Sequence, residues 1–111
     1  MNVYAIWFDV ADGREDLNLY NAIAAYLGHF QDQGLIEGWT IERRKFGFGP
    51  ENLGEFQLRI LAKDLDSLDK VFSQAATRSG DVEKLHAEVY KRVKNFKSGL
   101  FRTFPDPERV R

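Results

Sequence analysis

Residues Val3 to Val10 read VYAIWFDV, β-branched and aromatic throughout, and turn residues Asp12 and Gly13 follow, which predicts a strand. Leu17, Tyr20, Ile23, Ala24, Leu27 and Phe30 then recur at helical spacing. Glu15 or Asp16 places negative charge at the start of that helix and Gly34 offers its stop. Ile36 to Phe48 sets Trp39, Ile41 and Phe46 among charged residues, a strand that Gly47, Gly49 and Pro50 close, with a hairpin-like loop over 49–54. From Glu55 to Ala62, Phe56, Leu58, Ile60 and Ala62 alternate with Gln57, Arg59 and Leu61, the pattern of a half-buried strand. Asp64 or Asp66 can cap a helix that turns Leu65, Leu68, Phe72, Ala75 and Ala76 inward. Ser79-Gly80-Asp81 interrupts it, and Asp81 can cap a further helix carrying Val82, Leu85, Val89 and Val93. Phe96 to Phe104 alternates again before Pro105-Asp106-Pro107.

The order β-α-β-β-α-(α)-β predicts an α+β, ferredoxin-like sandwich: a four-stranded antiparallel sheet with helices on one face. Residues 1–104 make a single domain and 105–111 a C-terminal tail. Alternation puts Tyr4, Ile6, Phe8, Trp39, Ile41, Phe56, Leu58, Ile60, Phe96 and Leu100 under the helices. It puts Trp7, Asp9, Glu42, Arg44, Gln57, Arg59, Leu61, Lys97, Phe101 and Thr103 on the opposite face. A one-residue slip of register would exchange every one of these assignments.

A solvated sheet face should be mostly polar. This one mixes Trp7, Leu61 and Phe101 with charges of both signs, the composition of a contact surface. The favoured reading is a homodimer in which two sheets stack face to face and Asp9, Glu42, Arg44 and Arg59 neutralise one another between them. The competing reading is base stacking on sheet aromatics, as in ferredoxin-like RNA-binding domains. Arg44-Lys45-Phe46-Gly47-Phe48 is superficially similar to the RNA-recognition octapeptide. That motif belongs on the third strand, however, whereas here it ends the second, and the face is charge-balanced rather than basic.

Composition narrows the classes. The 111 residues are 43% hydrophobic and 14% aromatic, too apolar for a disordered chain. Zero cysteine excludes disulfides, thiolate metal sites and a Cys nucleophile. No apolar run approaches the roughly 20 residues of a membrane helix and no signal peptide is visible, so the expected location is cytoplasmic. The net charge of −1 hides an asymmetry: residues 1–83 carry 8 basic and 14 acidic side chains, residues 84–111 carry 8 and 3.

In element order, length and sheet patterning from Val3 to Phe104, the chain resembles the dimeric α+β barrel superfamily, which includes the antibiotic-biosynthesis monooxygenase-like and stress-responsive barrel families. The resemblance implies a homodimer whose sheets close into a barrel, with a pocket between sheet and helices. Members of that superfamily include cofactor-free oxygenases, haem-degrading enzymes, isomerases and decarboxylases, so fold alone selects none of these activities. Oxygenase and haem-degrading members use an Asn, Trp and His or Arg set. Asn2, Trp7 and Trp39 are present here, but without a motif to align them no catalytic role is transferred.

His86 is the candidate acid–base residue, about 50° from the centre of the Val82, Leu85, Val89, Val93 stripe at 100° per residue. A packed core histidine is the simpler reading of it. His29, about 150° from the core direction of its helix, is expected to face solvent. The two histidines lie on separate helices and nothing shows metal-ligand spacing, so neither a metal nor a cofactor is expected. Arg59 in mid-strand needs a partner; an ion pair with Asp9 or Glu42 is favoured over capture of an anionic ligand. Gly47-Phe48-Gly49-Pro50 has neither P-loop nor dinucleotide spacing, and the serines lack a nucleophile elbow. Lys91, Arg92, Lys94 and Lys97 read as a solvated helix end.

These residues favour a protein that binds, or acts without cofactor on, a small aromatic or apolar molecule. The pocket candidates are Tyr4, Tyr20, Trp39, Phe72, His86 and Tyr90. The alternatives are a dimeric interaction module with a solid core, and a single-stranded RNA-binding domain.

Overall fold

The computed structural model describes residues 1–109. Strands β1 (Asn2–Val10), β2 (Gly38–Arg43), β3 (Phe56–Ala62) and β4 (Val93–Arg102) alternate with helices α1 (Asp16–Asp32), α2 (Leu65–Ala76) and α3 (Gly80–Tyr90). The sheet runs β2-β3-β1-β4 and every neighbouring pair is antiparallel. This is the α+β, ferredoxin-like architecture expected from the element order. No helix among the described residues is long and apolar enough to cross a membrane.

Helix α1 supplies most of the core. Leu19, Ile23, Leu27 and Phe30 are fully buried, one stripe at i, i+4, i+8 and i+11. They pack on Ile6, Phe8 and Val10 of β1 and on Phe56, Leu58 and Ile60 of β3. Leu17, expected inward, is 75% exposed, because at 100° per residue it lies about 200° from Leu19. Tyr20 is likewise on the flank and exposed. His29, expected outward, is half-buried against Phe30, with Gln33 Nε2 2.9 Å from its ring nitrogen. The helix ends in a Schellman arrangement: Gly34 has φ +74°, its N–H bonds Gln31 O and the Leu35 N–H bonds Phe30 O.

Several boundaries move from expectation for local reasons. Strand β2 stops at Arg43, not Phe48, because Phe46 and Gly47 both take positive φ (56° and 71°) and turn the chain away from the ladder. Arg44 then closes the β2–β3 connection by donating to Pro50 O (2.7 Å) and Leu53 O (2.9 Å). Asp64 caps α2 by accepting from the Ser67 N–H at 2.8 Å, and Leu68 and Val71 are its buried residues, while Leu65 and Phe72 are exposed. Ser79, not Asp81, occupies the N-cap of α3. Val93, expected on that helix, opens β4 instead.

All three helices lie on one side of the sheet, and the thinnest dimension is 18 Å. The radius of gyration, 14.8 Å, exceeds the roughly 13 Å of a compact domain of this length, as a two-layer slab requires.

Candidate functional site

The register fixes the two faces. Tyr4 stands opposite Ile60 and Leu100, Ile6 opposite Leu58 and Ser98, and Trp39 and Ile41 opposite Ile60 and Leu58. These positions face the helices. Above them an apolar cavity of about 270 Å³ lies between helices and sheet. Its floor is Tyr4, Ile6, Leu58, Ile60, Val93 and Phe96. Ile23, Tyr26 and Leu27 of α1 form one wall; Val71, Phe72 and Ala75 of α2 and His86, Val89 and Tyr90 of α3 complete the rest. Each helix contributes residues three or four apart, which share one face.

Rings define the cavity's shape. Phe72 meets Tyr4 edge-on at 5.1 Å, Tyr26 lies 5.6 Å from His86, and His86 stacks on Tyr90 at 5.8 Å with 25° between planes. The pKa of Tyr26 is pushed up to about 12, first by burial, then by the nearby negative charge of Glu83 and by Tyr4. Tyr26 thus keeps its hydroxyl protonated well into the alkaline range and is one of the residues lining the cavity. His86 brings the imidazole of the lining, a group able to donate or accept.

Of the pocket candidates from sequence, Tyr4, Phe72, His86 and Tyr90 border this cavity. Tyr20 and Trp39 do not; they tilt onto each other at 5.8 Å. The sheet order explains it, since β2 is the edge farthest from β4 and the cavity lies on the β1–β4 side. Sequence reasoning missed Tyr26, although Ile23, Tyr26 and Phe30 follow a helical i, i+3, i+7 spacing.

On the opposite face, Val3 and Ala5 form the floor of a shallow depression of about 450 Å³ with Trp7, Arg59 and Phe101 around it. Trp7 and Phe101 meet edge-on at 6.3 Å beside Gly99, where a Cβ would come within 3.1 Å of the Phe101 ring. Trp7 Nε1 donates to Gln57 Oε1 (3.4 Å) and Gln57 Nε2 to Glu42 Oε1 (2.9 Å). Leu61, opposite Val3, is half-buried on the same face.

Within one chain, Asp9, Glu42, Arg44 and Arg59 form no ion pair with one another. Asp9 accepts from Glu55 N (2.7 Å) and Asn95 Nδ2 (2.8 Å), and Arg44 serves its own loop. Arg59 stands opposite Ala5 and Thr40, out of register with Asp9, and pairs with neither Asp9 nor Glu42. Arg43, on the helix side of β2, is the paired cation: it bonds Glu55 (2.9 Å) and Asp16 (3.3 Å) and covers the Phe56 ring at 5.0 Å. Phe46 and Phe48 are 84% and 80% exposed in the β2–β3 connection, off the sheet surface where a base-stacking aromatic would sit. Among the described residues no three His, Cys, Asp or Glu side chains converge to hold a metal.

Solved structures share the fold across almost the whole chain. SnoaB, a cofactor-independent oxygenase from Streptomyces nogalater, matches at 13% identity and TM-score 0.69, covering 95% of this chain and 97% of that one. A dimeric ferredoxin-like protein of unknown function from Jannaschia sp. CCS1 matches at 7% identity and TM-score 0.67, covering 92% and 98%. A structure described as an antibiotic biosynthesis monooxygenase matches at 9% identity and TM-score 0.61, covering 95% and 100%. No curated protein matches the chain. At these identities the likeness establishes the fold; family membership comes from sequence, over residues 1–111, and places the chain in the "Family of unknown function (DUF6614)".

Proposed function

We propose that the chain is a homodimeric protein whose helix–sheet cavity binds a small aromatic or apolar molecule. The carrying observation is an apolar space of about 270 Å³ bounded by the rings of Tyr4, Tyr26, Phe72, Tyr90 and Phe96, with the His86 imidazole and the tyrosine hydroxyls as its polar groups. An apolar cavity of roughly 150 Å³ accepts benzene, so this one suits two fused rings. Chemistry on that molecule without a cofactor is the finer reading, with His86 as the group that takes up or delivers a proton. The cofactor-independent oxygenase among the structural neighbours supports that reading by analogy of fold.

Dimerisation through the open sheet face is supported by what one chain leaves uncovered. On β4, Phe96 and Leu100 on one side and Phe101 on the other are 55%, 55% and 53% exposed. Apolar side chains of this edge strand thus meet water on both sides of the sheet, a liability that a second copy removes. Trp7, Arg59, Leu61 and Phe101 then lie at the contact, with Glu42 beside them. The dimeric ferredoxin-like protein from Jannaschia supports a homodimer by analogy of fold.

Calorimetric titration with 2-naphthol tests the pocket. Saturable binding, one molecule per chain, is expected, and Ala75→Trp should abolish it by filling the space. Absence of saturable heat, or equal affinity in Ala75→Trp, would leave the dimeric interaction module as the better reading.

A further inference from the structure

The charged groups of the open sheet face differ in what they already touch. Asp9 is held by Asn95 and the Glu55 N–H, and Lys94 stands opposite it on the ladder. Arg44 bonds the carbonyls of Pro50 and Leu53, and Lys97 donates to Asn52 O. Arg59 and Glu42 are left. Both are exposed, and among the described residues neither takes part in an ion pair. Glu42 is nevertheless positioned: Trp7 Nε1 donates to Gln57 Oε1, and Gln57 Nε2 donates to one carboxylate oxygen of Glu42.

A sheet-to-sheet contact strips water from this face, and a charge left there without a partner is costly. A two-fold contact makes every pairing twice, so a face carrying both members of a pair is complementary to its own copy. Register sets Glu42 opposite Gln57 on β3, with Arg59 one step along that strand, opposite Thr40. With strands about 4.8 Å apart and about 3.4 Å per residue, the two backbone positions lie roughly 8 Å apart. A two-fold axis between the sheets, midway between these positions and perpendicular to the line joining them, lays each over the other's copy. In the same flat projection that axis runs past Trp7, level with Gln57 and Glu42 on β1, so the two tryptophans meet.

Resting on the homodimer reading above, we infer that Arg59 of each protomer forms an ion pair with the partner's Glu42. Charge, as well as apolar area, then selects a second copy of this chain. Sedimentation velocity on charge-reversed variants tests it. Arg59→Glu and Glu42→Arg should each be monomeric where wild type is dimeric, since each sets like charges against one another twice. Mixed in equal amounts, the two variants should form a heterodimer, because every reversed charge then meets its opposite. The uncharged Arg59→Gln and Glu42→Gln variants should each weaken the dimer about tenfold, and the two together no further. Should a reversed variant fail to fold by circular dichroism, the uncharged pair decides alone. A reversed variant that stays dimeric, a mixture that stays monomeric, or additive weakening in the combined Gln variant overturns the ion pair and leaves the homodimer standing. Wild-type protein that sediments as a monomer overturns both.

Discussion

The carboxylate of Asp9 accepts a hydrogen bond from the side-chain amide of Asn95 at 2.8 Å, where the β1–β4 register slips. Trp7 pairs with Lys97 but Asp9 with Lys94, so β4 carries an extra residue, and Asn95 absorbs it at φ +57°. Asparagine tolerates that region better than most residues. Because of the bulge, Val93 and Phe96 both face the helices, and both form the cavity floor. Without it, strict alternation would turn Val93 to the other side.

The bulge therefore has a measurable acid limb. Asn95, then the Glu55 N–H, hold the Asp9 carboxyl below its ordinary range, despite opposing desolvation. A depressed carboxylate contributes stability fully above its unfolded value near 4, and the contribution is lost as pH falls through the folded value. Asp9→Ala should cost about 1–2 kcal/mol at neutral pH by urea denaturation, and the difference from wild type should shrink in acid.

Tyr26 gives the complementary alkaline prediction. Its folded pKa of about 12 exceeds the unfolded value of 10.0, so burial favours the protonated phenol. The native state should lose stability as pH rises from 10 towards 12, because the unfolded chain ionises first. In Tyr26→Phe that loss should be smaller across this window. Equal pH slopes for the two proteins by thermal denaturation would show that the hydroxyl is not desolvated.

Two glycines should respond oppositely to alanine. A Cβ at Gly54 would lie 2.4 Å from backbone atoms of Phe8, so Gly54→Ala must push β1 from the β2–β3 connection, costing about 3 kcal/mol. Gly28, inside α1, has nothing within 4 Å of its missing Cβ, and Gly28→Ala should stabilise by about 0.5–1 kcal/mol through helix propensity. Chemical denaturation of both variants checks the pair.

Element order and sheet faces were legible because period-2 alternation in β1 and β3 is clean and the β1–β3 and β2–β3 registers agree with it. The candidate site was legible in part: Tyr4, Phe72, His86 and Tyr90 lie where helical and strand periodicity puts them. Trp39 misled because hydrophobic pattern gives a face but not a position across the sheet; strand order decides which aromatics meet. The α1 stripe misled because Tyr20 and Leu19 fit adjacent helical rows, and only packing against β1 and β3 chooses between them. Arg59 was paired wrongly with Asp9 or Glu42 across the strands, because which residues stand opposite it depends on register, and the register sets it beside Ala5 and Thr40. The Asn95 bulge is set by a single left-handed residue that no periodicity reveals.

The open face carries its own test. Trp7→Glu places a charge at the centre of the proposed sheet-to-sheet contact and should convert a dimer to a monomer by sedimentation velocity, with a lower melting temperature. A Trp7→Glu protein that sediments like wild type, with unchanged stability, would mean that the contact lies elsewhere.

The most direct test of the central claim is a crystal structure of the protein soaked with 2-naphthol. The account predicts planar density between Tyr4 and Tyr26, with the hydroxyl within hydrogen-bond reach of Tyr26 or His86. A cavity filled by repacked Phe72 and Tyr90 side chains, or naphthol seated only on the Trp7–Phe101 face, would contradict it.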